Sequence, residues 1–192
     1  MIKQTRGALT MLLSVYRSVL KNAYLKNFAA VALAASVGVA SAAEPGENGF
    51  YNSVADAKAG SEVAVKEDKS ITGENFAKNV TVLSEGEEAV TLTIDASSAA
   101  SQLSTNSVTI GKNGTVTLSG DSNGATIAGL ADEESESEAS KVNPANITLK
   151  DSTSKLTASG TTSVGNVTLE DGTATFGGTA TVNSLNATKG IR

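Results

Sequence analysis

NITLKDSTSKLTASGTTSVG (Asn146–Gly165) and NVTLEDGTATFGGTATVNSL (Asn166–Leu185) follow one another without a gap and align at six identical positions. The identities are Asn146/Asn166, Thr148/Thr168, Leu149/Leu169, Asp151/Asp171, Thr153/Thr173 and Thr161/Thr181. Ile147/Val167 and Leu156/Phe176 keep apolar character, and Asn186 falls where a third copy would begin. The opening tetrapeptide recurs upstream as NVTV at Asn79, AVTL at Ala89, SVTI at Ser107 and TVTL at Thr115. Apolar residues two apart with Thr between them make a strand with one buried and one wet face. Gly, Asn, Asp and Ser nearby supply turns. Val90, Val108, Ile127, Ile147 and Val167 are spaced 18, 19, 20 and 20 residues apart. That spacing predicts an all-β chain, a parallel β-helix (solenoid) with rungs of about 18–20 residues. The alternative is an antiparallel β-sandwich, with hairpins at Asn113-Gly114 and Asp171-Gly172. Leucine-rich repeats fit poorly, because most segments carry one Leu or none.

Working outward, the composition suits small-residue strands. Of 192 residues, 22 are Thr, 23 Ser and 18 Gly, while aromatics are 4% and Cys, His and Trp are absent. No disulfide framework, Cys/His metal site or His-dependent triad can be built from such a chain. The net charge of −5 offers no basic surface for nucleic acid.

That charge is an average of two unlike parts. From Met1 to Ala43 there are five basic residues and no acid; from Glu44 onward there are ten basic and twenty acidic residues. An apolar run from Phe28 to Ala40 ends in Ala40-Ser41-Ala42. A basic stretch, a short apolar core and an A-x-A site describe a secretory signal peptide over 1–43, cut after Ala42 or Ala43. Its basic region is long, so translation starts at Met1 or at Met11. The apolar core is too short to span the ~30 Å hydrocarbon layer. The mature chain is expected to be exported and acidic.

Residues 44–72 read as a linker, a short helix over Phe50–Lys58 and an opening cap. Gly60 is placed as the helix C-cap, and brief strands follow at 62–65 and 70–72. Residues 73–192 read as the repeat region, interrupted by an acidic loop at 131–140. Within it Asp132–Glu138 (DEESESE) has no Gly to shape a calcium loop and reads as solvated.

A signal peptide followed by a Cys-free, Gly/Ser/Thr/Asn-rich chain of NVTL-type turns resembles the passenger region of bacterial autotransporters and related surface adhesins. The stretch YNSVADAKAGSEVAVKEDKSIT (Tyr51–Thr72) is similar to the start of many right-handed β-helix proteins. The resemblance implies a bacterial cell surface, outer membrane or extracellular location, and a role in adhesion or surface display toward a surface or host ligand. Membrane contact would come only through the signal peptide or a C-terminal barrel. This sequence stops at Gly190-Ile191-Arg192 in mid-repeat. It therefore reads as the amino-terminal piece of a longer protein or a truncated gene product, and an uncapped last turn would expose strand edges.

No residue is assigned to catalysis, to a cofactor or to a metal. Asn146, Asp151, Asn166, Asp171 and Asn186 are read as repeat corner residues with a structural role, Asp151 and Asp171 forming Asx turns. A stacked Asp151/Asp171 pair is the one feature that suits the alternative, a fragment of a secreted polysaccharide-degrading enzyme. A purely structural stalk is the third reading. The Asn-x-Thr triplets, like GKNG (Gly111–Gly114) and GDSNG (Gly120–Gly124), are read as turns.

Overall fold

The structure is a computed structural model that describes residues 43–131 and 143–188. The described residues all fall in one compact unit. The signal-peptide reading with Ala40 and Ala42, and the acidic run Asp132–Glu138, lie outside the described residues. Ala43 is described, and is partly buried against the core.

One short helix, α1 (Val54–Ala59), precedes fourteen strands among the described residues. Its start is set by chemistry that the hydrophobic spacing did not show. Ser53 is the N-cap: its Oγ accepts from the Asp56 amide and donates to Asp56 Oδ2. Phe50 and Tyr51, expected inside the helix, instead lie buried before it, and Tyr51 makes an antiparallel bridge to Phe76. Gly60 follows the helix at φ −80°, so it is not a left-handed cap. Glycine is needed there for space, since a Cβ would run into the Tyr51 ring.

The strands are β1 (Val63–Val65), β2 (Lys69–Ile71), β3 (Glu74–Phe76), β4 (Asn79–Val82), β5 (Val90–Asp95), β6 (Ser101–Ser104) and β7 (Ser107–Ile110). There follow β8 (Gly114–Ser119), β9 (Ala125–Ala128), β10 (Asn146–Leu149), β11 (Lys155–Ser159), β12 (Thr161–Leu169), β13 (Thr173–Phe176) and β14 (Thr179–Ala187). Nine form one sheet in the order β1-β4-β7-β10-β12-β9-β6-β3, with β14 also paired to β12, and this sheet curls into a half-barrel. The other five form a flat sheet, β13-β11-β8-β5-β2. Every ladder between named strands is parallel.

This architecture corrects both fold expectations. The chain is not a β-helix with rungs of constant length, but a two-sheet parallel β fold in which one sheet is a continuous nine-stranded curl. Its register is irregular: Val63 faces Val80, Val80 faces Val108, Val108 faces Ile147, Ile147 faces Val167 and Val167 faces Leu185. The step from Val108 to Ile147 is more than twice the step from Val63 to Val80. The residues that suggested a constant period do not share a column. Val90 faces Gly114 in the flat sheet and Ile127 faces Leu103 on β6, so only Val108, Ile147 and Val167 stack. The antiparallel sandwich is overturned as well. Asn113-Gly114 joins β7 to β8 and Asp171-Gly172 joins β12 to β13, in each case strands of different sheets.

The six tetrapeptides lie in strands, except that Ala89 of AVTL stands exposed just before β5, and their Val, Ile and Leu residues turn inward. Leu92, Ile94, Val108, Ile110, Val116, Leu118, Ile147 and Leu149 are fully buried. Burying a side chain of this size contributes ~1.5–3 kcal/mol, and the column stacking places like-sized residues in contact. Thr105 and Ser154, also fully buried, are satisfied by the main chain: Thr105 Oγ1 donates to Lys78 O and Ser107 O. Between the flat and curled sheets the chain bends at stacked glycines. Gly160 has φ +73°, and a Cβ there would collide with Gly120 O.

Candidate binding faces

Because strand residues alternate in direction, parallel stacking turns each outward position into a column with ~4.8 Å between strands. On the flat sheet one column reads Ser70, Thr93, Thr117, Thr157, Thr175. A second, two positions away along each strand, reads Thr91, Thr115, Lys155, Thr173. Asp95, Ser119 and Ser159 form a third at the border. The face therefore presents seven threonines in two adjoining columns, each with a hydroxyl and a methyl, and few charges.

The curled sheet carries a different outer array. Glu62 lies beside Asn79, and a column then runs Asn79, Ser107, Asn146, Asn166, Ser184. Side chains bond along it. Asn79 Nδ2 donates to Glu62 Oε1 at 3.2 Å, and Ser107 Oγ to Asn79 Oδ1 at 2.8 Å. Asn166 Nδ2 donates to Asn146 Oδ1 at 3.1 Å; Asn166 Oδ1 accepts from Ser184 Oγ at 2.8 Å and from Asn183 Nδ2 at 2.6 Å. The next column is Ala64, Thr81, Thr109, Thr148, Thr168, Asn186.

The structure separates the five residues read as corners. Asn146 opens β10, Asn166 lies within β12, and the two are direct register partners. Asn186 does not start a third copy: it pairs with Thr168, and Ser184 occupies the position beside Asn166. The last step along the column is shorter by two than the one before it, which displaces every later equivalence. For the same reason Leu156 faces Ala174, and Phe176 faces Ala158. None of the three asparagines has a left-handed backbone; Asn113, at φ 54°, is the non-glycine residue that does among those described. Asp151 caps a turn, its Oδ1 accepting from the Thr153 amide at 2.9 Å and from Thr153 Oγ1 at 2.6 Å. Asp171 Oδ1 accepts from the Gly172 amide at 3.0 Å.

Three carboxyl groups among the described residues depart from ordinary acidity, and all three downward. The Lys66 ammonium bonds Glu85, the Ser97 amide bonds Asp95, and the Thr153 hydroxyl and amide bond Asp151. Each bond favours the ionised form. Among the described residues there is no group of three or more Asp and Glu placed to hold a metal ion, and no helix is long and apolar enough to cross a membrane. A shallow cavity of about 250 Å³ lies beside β9 and β12, lined by Thr126, Ile127, Pro144, Ser163 and Val164 among others, none of them ionisable.

Ser154 is the residue of consequence that sequence patterning missed. Its Oγ donates to Ile110 O and Gly111 O at 2.9 and 2.8 Å and accepts from the Asp151 amide at 3.1 Å, tying the turn after β10 to the end of β7. A Ser in a Ser/Thr-rich stretch carries no signal of its own; only the parallel stacking of β7 and β10 brings its partners within reach.

Compared with known proteins, the chain matches no family model, no curated protein and no solved structure.

Proposed function

We propose that the chain is an exported, non-enzymatic surface-display protein of the autotransporter-passenger kind, meeting a surface or host ligand through its outer polar columns. The observation that carries this reading is the pair of adjoining threonine columns on the flat sheet. A flat, repeated, nearly uncharged array of hydroxyls and methyls suits an extended partner that makes many weak, equivalent contacts, and such contacts gain strength by number. The side-chain ladder through Asn146 and Asn166 gives the curled sheet a second array of the same kind. Asp151, Asp95 and Glu85 are held below the ordinary carboxyl range and stay ionised, which suits solvated surface groups.

The test has two arms. N-terminal sequencing of protein recovered outside the cytoplasm should begin at Ala43 or Glu44; an intact Met1 or Met11 end overturns export. The chain from Ala42 onward, applied to an array of immobilised glycans and matrix proteins, should bind in a way that Thr117→Lys with Thr157→Lys abolishes. Binding indifferent to that pair, or turnover of any arrayed glycan, overturns the reading.

A further inference from the structure

The two outer arrays differ in how their polar groups are used. On the curled sheet the column is bonded to itself: Ser107 Oγ donates to Asn79 Oδ1, and Asn166 joins Asn146, Asn183 and Ser184. On the flat sheet none of the seven threonine hydroxyls is taken up by another group of the chain among the described residues. Thr91 is bonded through its amide, to Asp68 Oδ1 at the margin. Each hydroxyl therefore keeps one donor and two acceptor positions for an outside partner.

Those free groups form a lattice. Thr91 faces Thr115, while Thr93 faces Thr117, which faces Thr157, which faces Thr175. Direct partners on consecutive strands repeat at ~4.8 Å across the sheet, and alternate residues repeat at ~6.8 Å along it. Sheets ordinarily twist by ~20–25° per strand, which would turn each pair out of line with the next. This sheet is flat, so both spacings persist over its face. β-Branching restricts χ1, so the array is stiff before anything binds. Lys155 is the one ionisable residue in the two columns, although the chain from Glu44 onward carries ten basic and twenty acidic residues. A charged partner finds almost nothing there to pair with, and the irregular surface of a folded protein does not repeat at both spacings. The oxygen atoms on the prism faces of hexagonal ice do repeat at distances close to both.

We infer that the flat threonine sheet adsorbs to ice, with an ordered, uncharged water lattice as its extended partner. The hydroxyls take lattice positions, and the methyls beside them order the water between. One hydroxyl bonds ice little better than it bonds liquid water, so affinity comes from many contacts held in register and made together. Lys155 breaks the array on β11, between Thr115 and Thr173, where a hydrated ammonium has no place in the lattice. The inference rests on the proposed function only in taking the flat sheet as the contact face; export and a host ligand do not enter it.

Slow growth of an ice mass in a dilute solution of the chain tests it, because a growing crystal expels solutes that do not adsorb. The chain should be enriched in the ice fraction. Thr117→Lys with Thr157→Lys should cut that uptake by about tenfold or more with an unchanged thermal melt, since contacts made together are lost together. Thr109→Lys with Thr148→Lys, on the outer face of the curled sheet, should leave uptake intact. Lys155→Thr completes the array and should raise it. Expulsion of the parent chain from ice, uptake indifferent to the flat-sheet lysines, or a fall with Lys155→Thr would each overturn the inference. A chain that binds arrayed glycans or matrix proteins but is expelled from ice sinks this inference and leaves the surface-display reading standing. Threonine-dependent entry into ice with nothing bound on the array supports the inference and removes the host ligand.

Discussion

Ile147 and Thr148 are chain neighbours on β10 that face opposite ways, and exchanging each for Ala should give very different costs. Ile147 is fully buried between Val108 and Val167. Truncation to Ala removes three carbons, about 2.4 kcal/mol at ~0.8 kcal/mol per carbon. Incomplete collapse of the column adds a cavity contribution, bringing the loss to about 3–4 kcal/mol. Thr148 lies half-buried on the outer face beside Thr109 and Thr168, so Thr148→Ala should cost under about 1 kcal/mol. For a unit of this size the first change lowers Tm by about 6–16 °C and the second by about 4 °C at most. Urea unfolding read by far-UV circular dichroism measures both, with the m-value unchanged if only stability has moved. A one-residue slip in register would turn Thr148 inward and Ile147 outward. Equal losses, or a larger loss for Thr148→Ala, would refute the face assignment on which the outer columns depend.

Three further outcomes follow from single contacts. Gly160→Ala places a Cβ against Gly120 O in a left-handed backbone and should destabilise by more than about 2 kcal/mol, measured by the same unfolding curves. Ser154→Ala removes the hydroxyl that Ile110 O and Gly111 O share and leaves the Asp151 amide without its acceptor, and should cost about 1–3 kcal/mol, despite being a small change in a Ser-rich segment. Asp151 should titrate below the ordinary carboxyl range by NMR, and Thr153→Val should move it back up. Because its folded value is depressed, the Thr153 contacts contribute stability above the unfolded value of about pH 4, and that contribution is lost as pH falls through the folded value. Thr153→Val also leaves the Asn113 amide without its Oγ1 acceptor, so it should be less stable than the parent chain throughout, with the difference shrinking as pH falls from about 6 through the folded value.

Inward and outward faces were legible in the sequence because Val-Thr-Val and its relatives encode them locally. The assignment of strands to columns was not. The connection from Leu83 to Ala89 and the segment between Leu130 and Ala145 lengthen some intervals and not others, and periodicity cannot see past such insertions. Val90 and Ile127 therefore fell by coincidence into a spacing that belongs to Val108, Ile147 and Val167. The direct repeat misled in a subtler way. Asn146–Leu149 and Asn166–Leu169 do pair position for position, but the shorter step beyond them makes Ser184, and not Asn186, the partner of Asn166. The threonine columns were visible only in part. The Thr of each tetrapeptide pointed outward on sequence grounds, yet nothing local told that Thr117 and Thr157, far apart in the chain, are neighbours.

Proximity of that kind is what spin labels measure directly, in a chain that has no native Cys. Nitroxides at Thr109→Cys and Thr148→Cys, distant in the chain but on adjacent parallel strands, should show strong dipolar broadening. Labels at Thr91→Cys and Thr109→Cys, much closer in the chain but on different sheets, should not. Broadening in the second pair and none in the first would contradict the parallel two-sheet register and every column built on it.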